Sequence, residues 1–597
     1  MKNLVISNND NLWSKEYTNI LVGDWCFLGY EKKSSFNKLK YEIFDSHWSN
    51  PDKLNKDIKY LQSNIWDEAI DFLSSELNNY HGVSLPKKYW ENLVKGWLVI
   101  FVPIVFDRYE TLRLIKFHNK NLNLKAKIFE FDDNKFIPNE TFEFSTDISL
   151  RNDWTHWINS KLVKYLDIDF ELVSKLDDNN NLYSSNPRNN IININTKIRT
   201  SSLKYQKRSL YKKIFEKIGL FKIFKRKLAI IDCHISKFDK IILFLMFGQI
   251  PERYAPDFFE YSKKKDLNFR KKYCDLNIKE KNFFNFLKQN LLLAIPKSFL
   301  EDYKDLVKHQ KDSDWPKKPN IILSSIGGHY NDIFNIYAAE KRLLGSKLIY
   351  AQHGGVYGVS KFNFGEFLEN KADRFLTWGW KKEEKHFPLF FLGKDVKKVK
   401  KNTNATGIIM SATNFFNIPY QPRAAPNDST ETRMYVNNIN NFLAHLDKKL
   451  YSKFDVNYAD FNRVPNLRDE IKFKEVKFQN LTESVVKRSV NYKLVIETIN
   501  STGFLENLYY NVPFIALFDK RYCPLDEEAK KYYKNLENSK IIFYNPIDAA
   551  KHVNEIYDDV YSWWNSADLQ KGRKIFCEKY ARKPNNFLKS WKKAFEF

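Results

Sequence analysis

Apolar residues recur along this chain in two rhythms. Between 57 and 82, "DIKYLQSNIWDEAIDFLSSELNNYHG" spaces them three and four positions apart, and residues 51–130 read as largely helical. From 318 the rhythm changes. "PNIILSS" is a short apolar run that stops in "IGGHYND" and leads into the helical "IFNIYAAEKRLLG"; "SKLIYAQHGG" and "ADRFLTWGW" repeat the strand pattern. After the hydrophilic "GKDVKKVKKNTNAT" a second series begins at "GIIMSATNFF" and continues through "NYKLVIETINSTGFLENLYYNVPFIALF" and "KIIFYN". Strands alternating with helices, with turns at the strand ends, predict an α/β fold with parallel sheets. The expected architecture is two Rossmann-like domains facing each other across a cleft. Residues 1–392 form an N-terminal domain with helical insertions, the loop-like and basic one at about 175–230 among them. A linker at 393–406 leads to a nucleotide-binding domain at 407–560, and 561–597 adds a closing helix.

In open α/β sheets ligands bind beyond the carboxyl ends of the strands, and the polar clusters of this sequence fall there. "SSIGGHY" sets Ser324, Ser325, Gly327, Gly328 and His329 after one strand; "AQHGG" sets Gln352, His353, Gly354 and Gly355 after the next. Paired glycines let backbone amides approach a ligand closely. Each histidine also reads as ordinary turn chemistry. In "KLVIETINSTGFLENLYYN" a strand, a loop and a helix follow in turn. Ser501 or Thr502 is expected to cap that helix, and its first turn with Gly503 to take phosphate oxygens. Glu506, one turn past Thr502, would accept hydrogen bonds from ribose hydroxyls. A capped surface helix with a solvated glutamate is the plainer alternative. In the N-terminal half, His81, Asp107 and Arg108 sit among apolar residues in 80–110, where an ionised group is costly unless paired or functional. Asp24, in "LVGDWCFLGY", is a second carboxylate of this kind. No GxxxxGK[ST], GxGxxG or HExxH motif occurs, so ATPase, dehydrogenase and zincin readings lack support.

A chain of 597 residues is too long for one core and implies two or three domains. Five scattered cysteines form no CxxC pair, which argues against disulfides and zinc and suits a cytoplasmic protein. No apolar run approaches the roughly 20 residues of a membrane span, so a soluble or peripheral protein is expected. The net charge of +25 calls for anionic partners or a Lys-rich background. Basic and apolar residues alternate at helical intervals in 201–228, "SSLKYQKRSLYKKIFEKIGLFKIFKRKL". The segment reads either as a helix lying on an anionic membrane or as a solvated helix with one buried face. No RRM, KH, helix-turn-helix or zinc-finger pattern appears, so nucleic acid is not an expected partner.

Taken together, "LVGDWC", the His81–Tyr109 block, "SSIGGHY", "YAQHGGVYG", "FLTWGW", "STGFLE" and the terminal "WW" resemble a bacterial family of transferases from surface-polysaccharide and nonulosonic-acid gene clusters. More distantly, the "QHG" strand end and the Ser-Thr loop followed by Glu resemble CDP-glycerol glycerophosphotransferases and CMP-sugar capsule transferases. The resemblance implies a GT-B-like fold, no metal or other cofactor, and a glycosyltransferase that moves a sugar from a CMP-activated donor to a glycan or lipid-linked acceptor. It puts Ser501, Thr502 and Glu506 at the cytidine nucleotide, and His353, His329 and Asp107 at the reacting carbon. Gln352, Gly354, Gly355, Gly503 and Arg423 would complete the donor side, and Asp24, His81 and Arg108 the acceptor side. A CDP-polyol phosphotransferase building a teichoic-acid-like polymer is the alternative of the same class. An inert scaffold of the capsule machinery is the alternative outside it.

Overall fold

The computed structural model describes residues 1–26, 39–173, 226–392 (apart from 253, 255–258, 277, 362 and 364), 404–412, 429–458, 467–480 and 485–596. Arg423, nearly all of the basic segment 201–228 and most of the 393–406 linker lie outside these residues. The described strands form three parallel sheets. The first comprises β1 (Lys2–Val5), β2 (Thr18–Leu21), β3 (Tyr41–Ile43), β4 (Leu124–Ile128) and β5 (Asp169–Leu172), in the order β3-β2-β1-β4-β5. The second comprises β6 (Leu228–Ile230), β7 (Ile321–Ser324), β8 (Lys347–Ala351), β9 (Arg374–Thr377) and β10 (His386–Pro388), in the order β10-β9-β8-β7-β6. The third comprises β11 (Ile408–Ser411), β12 (Phe454–Tyr458), β13 (Lys477–Asn480), β14 (Leu494–Glu497), β15 (Phe514–Leu517) and β16 (Ile542–Phe543), in the order β13-β12-β11-β14-β15-β16.

The α/β class and the two series after 318 are therefore as the pattern predicts, and the first 172 residues add a sheet of their own. Its strands are only three to five residues long. The first three follow one another closely, whereas long helices precede β4 and β5, so the sheet is not apparent as one periodic series.

The helices that matter for the site are α1 (Trp66–His81), α2 (Lys87–His118), α3 (Asn152–Tyr165), α4 (Lys237–Met246), α5 (Asp332–Leu343), α6 (Ser429–His445), α7 (Thr502–Tyr510), α8 (Ala567–Tyr580) and α9 (Phe587–Ala594). Helix α2 runs for 32 residues and is buried along most of its length. Its first half packs on the second sheet's layer: a Cβ at Gly96 would lie 2.8 Å from the His329 carbonyl oxygen. Its second half meets α3, where the Arg108 guanidinium lies 4.9 Å from the Trp154 ring centroid. One apolar core runs through the first two sheets and reaches one face of the third at Val495, Phe504 and Phe514; a separate core covers the third sheet's other face.

Candidate active site

Three adjacent strands of the second sheet end at one level, because Ile230 pairs with Leu323 and Ser324 with Tyr350. Just past each end stands a histidine: His234 after β6, His329 after β7 and His353 after β8. The His353 ring centroid lies 5.2 Å from that of His329 and 6.0 Å from that of His234. The Tyr357 hydroxyl stands 3.5 Å from both His329 Nε2 and His353 Nδ1. His329 is buried, His353 half-buried and His234 exposed, so the cluster runs from the core to solvent. Burial holds the His329 imidazole well below its ordinary pKa. Burial, with His234 beside it, brings His353 down to about 4. Both are therefore neutral at pH 7. The serines ahead of His329 are engaged in the turn: Ser325 Oγ accepts from the His234 amide at 3.1 Å and Ser324 Oγ from that of Gly327 at 3.1 Å.

The third sheet presents its own carboxyl edge to this cluster. Gly355 N donates to Thr502 Oγ1 at 3.2 Å, and a Cβ on Gly355 would lie 2.6 Å from the Ser501 carbonyl carbon and oxygen. The "HGG" and "STG" loops thus touch backbone to backbone, which only glycine permits. At Gly354 the nearest atom to such a Cβ is 3.9 Å away. Ser501 occupies the cap position of α7, but among the described residues no side chain makes the capping hydrogen bond. Thr502 instead reaches across to Gly355. The expected cap bond is absent, and the first-turn amides carry the positive end of the helix dipole. Below them Glu497 is buried at the end of β14 and accepts from Asn507 Nδ2 at 2.7 Å and from the Ser411 hydroxyl. Burial lifts its pKa to about 8, against those bonds. Glu506, also buried, lies one turn past Thr502 on α7. Beside the loop, Tyr435, Asn438, Thr498, Asn500, Asp519 and Tyr522 line a cavity of about 60 Å³.

A sequence profile matches this chain over residues 2–595, and its family is described as the LIC12162 family transferase. The chain belongs to the LIC12162 family of transferases. None of the curated proteins matches it. Among solved structures, this LIC12162-family chain is similar to Anabaena HepE in complex with UDP-glucose, at 10% identity and a TM-score of 0.30, over 49% of this chain and 80% of that one. It is similar to the wall teichoic acid polymerase TagF soaked with CDPG, at 10% identity and 0.27, over 49% and 82%. It is also similar to the spinosyn rhamnosyltransferase SpnG, at 10% identity and 0.26, over 49% and 79%. Scores of this size mark partial likeness.

The remaining residues singled out in this LIC12162-family sequence are dispersed. Asp107 does not join the histidines: it lies eleven residues beyond Gly96 on α2, about 16 Å along the axis at 1.5 Å per residue. Its partner is His47, at 3.2 Å, whose other ring nitrogen lies 3.6 Å from Asp57. Burial opposes charge on that ring, yet the two carboxylates lift its pKa to about 9. Arg108 does not pair with Asp107. It donates to the Ile104 carbonyl at 2.9 Å and Thr155 Oγ1 at 3.2 Å. His81 is a core residue whose Nε2 lies 3.0 Å from the Phe299 carbonyl oxygen and whose ring stacks on Trp90; burial takes its pKa to about 4. Asp24 lies where the first and third sheets' layers meet, 3.5 Å from Arg433 of α6, which also pairs with Asp45 at 2.5 Å.

Gln352 is consumed structurally. Its amide donates to the Gly354 carbonyl, and its oxygen accepts from Trp378 N and Trp380 Nε1, all at 2.9 Å. Three residues escaped the sequence reading. His234 ends "LAIIDCH", an apolar run stopping in polar residues, so the rule that found His329 and His353 applied to it equally. Tyr357 and Glu497 gave no such signal, because one lies inside a turn and the other closes a strand.

Proposed function

We propose that this transferase is a glycosyltransferase of bacterial surface-glycan synthesis with a GT-B-like division of labour. It moves a sugar, by resemblance a nonulosonic acid, from a CMP-activated donor to a glycan acceptor. The observation that carries this reading is the contact of Gly355 with Ser501 and Thr502. It joins a cluster of neutral imidazoles to an uncapped helix start, the pairing of base and anion site that sugar transfer from a nucleotide needs. The donor phosphate takes the first-turn amides of α7 at Ser501–Gly503, where charge develops as CMP departs. Glu506 faces the ribose, and the nucleoside lies toward the Tyr435–Tyr522 cavity. His353 accepts the acceptor hydroxyl's proton as the acceptor oxygen bonds to the anomeric carbon. The bond from that carbon to the phosphate oxygen breaks, and its electron pair leaves with CMP. His329 orients His353 through Tyr357, and His234 forms the solvent side of the base. Asp107, tied to His47, has no part in this step.

Thermal-shift titration with CMP, CDP, UDP and GDP, followed by assay of CMP release from CMP-sugars, tests the reading. Stabilisation by cytidine nucleotides and CMP release are expected, and His353→Gln should lower kcat by about 10²- to 10⁴-fold. Stabilisation by uridine or guanosine nucleotides alone overturns the donor assignment. Turnover of CDP-glycerol in place of CMP-sugars does so in favour of polyol phosphate transfer.

A further inference from the structure

One helix turn after His234 the chain begins an apolar surface that neither the core nor the site uses. Helix α4 starts at a capping box in which Ser236 and Asp239 satisfy each other's backbone amides. Leu243 and Phe244 of this helix are buried. Phe238, Ile241 and Leu245 lie three and four positions apart on the opposite face and are 65%, 45% and 61% exposed. Met246 and Ile250 continue the exposed ridge. Helix α9 packs alongside: Phe587 lies 6.3 Å from Phe238 between ring centroids, and Trp591 Nε1 donates to Asp239 at 3.3 Å. The outer face of α9 adds Leu588, 57% exposed, next to exposed Lys589, Lys592 and Lys593; Lys237 is exposed at the start of α4. Neither helix carries an exposed acid, since their one carboxylate, Asp239, is buried in the cap and the Trp591 bond.

We infer that the α4–α9 face is a docking surface for an anionic lipid bilayer, with Phe238, Ile241, Leu245 and Leu588 entering the headgroup boundary and the lysines pairing with lipid phosphates. An apolar ridge on two helices that expose lysines and no carboxylate of their own, with exposed Glu596 lying beyond the end of α9, fits that surface in both its parts. A soluble acidic partner would leave the ridge wet, and a second copy of the same face would set lysine against lysine. Among the described residues no helix is long and apolar enough to cross a membrane, so the contact is peripheral. Because α4 starts just past His234, docking brings the histidine cluster close to the bilayer, where a lipid-linked acceptor presents its sugar. The surface stands whether or not the donor assignment holds.

The test is co-sedimentation of the full chain with vesicles of phosphatidylcholine alone or mixed with phosphatidylglycerol. Binding is expected to the mixed vesicles only and to weaken with salt. Ile241→Glu combined with Leu245→Glu should lower it by at least about tenfold, since each removes the burial of one large apolar side chain. Lys592→Gln with Lys593→Gln should lower it by about fivefold per lysine. Circular dichroism and the cytidine thermal shift should be unchanged in all four substitutions, which separates loss of docking from loss of fold or site. Equal binding to neutral vesicles overturns the proposal. So does full binding by the Ile241/Leu245 variant, including the case in which only neutralising lysines within 207–227 abolishes it. A wild-type dimer in light scattering that the variant dissociates overturns it in favour of a second copy.

Discussion

Gly355→Ala tests the junction with a single methyl. The added carbon would lie 2.6 Å from the Ser501 carbonyl carbon and oxygen and 2.9 Å from Thr502 N. All three atoms are backbone, so no rotamer change relieves the clash and the two loops must separate. Forced overpacking of this kind costs about 1–3 kcal/mol. Gly355 has no left-handed backbone, so steric contact is the whole of the effect. If the first turn of α7 holds the donor phosphate, the separation falls on ligand affinity, a loss of about 5- to 150-fold at 1.4 kcal/mol per decade. Calorimetric titration of the favoured nucleotide into the wild type, Gly355→Ala and Gly354→Ala measures it. The last variant is the control, because its Cβ meets only Thr502 Oγ1 and Tyr357 at 3.9 Å, ordinary contact distance. Equal affinities for the two variants would refute the view that this contact sets the site.

Asp107→Asn should leave transfer by the folded protein near the wild-type rate while costing about 3 kcal/mol in denaturant unfolding, since it strips a buried partner from protonated His47; abolished transfer in a folded variant would return Asp107 to the reacting centre. Gln352→Leu orphans the buried donors of Trp378 and Trp380, and a loss of about 3–5 kcal/mol is expected by the same measurement. Glu497→Gln should gain on the wild type as pH rises. The wild-type carboxyl is held neutral up to about pH 8 when folded but ionises near 4.5 when unfolded, so its contribution is complete below 4.5 and lost on climbing through 8. Unfolding of both proteins at pH 5 and pH 8.5 checks this, and a constant difference between them would refute it.

What could be read from the sequence was where strands end, and what could not be read was where side chains go. The rule that ligands gather at carboxyl ends of parallel strands located His329 and His353, and it applies unchanged to His234. The local pattern also marked "STGFLE" as loop and helix start. Pairings across hundreds of residues carry no periodic trace: the Gly355–Thr502 contact spans 147 positions, and nothing near either residue announces the other. Asp107 lies apart from the histidines for a physical reason. A carboxylate inside "VFDRYE" looks anomalous beside apolar neighbours, but its compensation comes from His47, which sits in a 3-10 turn 3.2 Å away and sixty positions back in sequence. Buried charge signals a partner; whether that partner is a substrate depends on the tertiary fold.

The junction around Gly355 is held by more than one methyl-sized gap. Ser360 and Leu525 form an antiparallel bridge, with Lys361 N donating to the Pro524 carbonyl and Asp526 N to the Val359 carbonyl, both at 2.9 Å. Lys382 pairs with Asp526 at 3.0 Å and Lys579 of α8 with Glu528 at 2.6 Å. Phe391 packs on Tyr509 at 4.8 Å, and the apolar core passes through to Val495 and Phe504. Opening the second and third sheets at this point would break backbone hydrogen bonds and expose that core together. The histidine cluster and the start of α7 therefore meet in a fixed geometry, and if they are the base and the anion site of the proposed transfer, that arrangement spares reorganisation when charge develops. Freedom to admit an acceptor must lie elsewhere. Across the other seam, between the layers of the first and third sheets, Arg433 bridges Asp24 and Asp45 from a side chain that is 43% exposed. Such a contact costs little to break. Arg433→Ala should therefore change acceptor KM and leave nucleotide affinity as it was, and a variant that loses nucleotide binding instead would show that the two seams move as one.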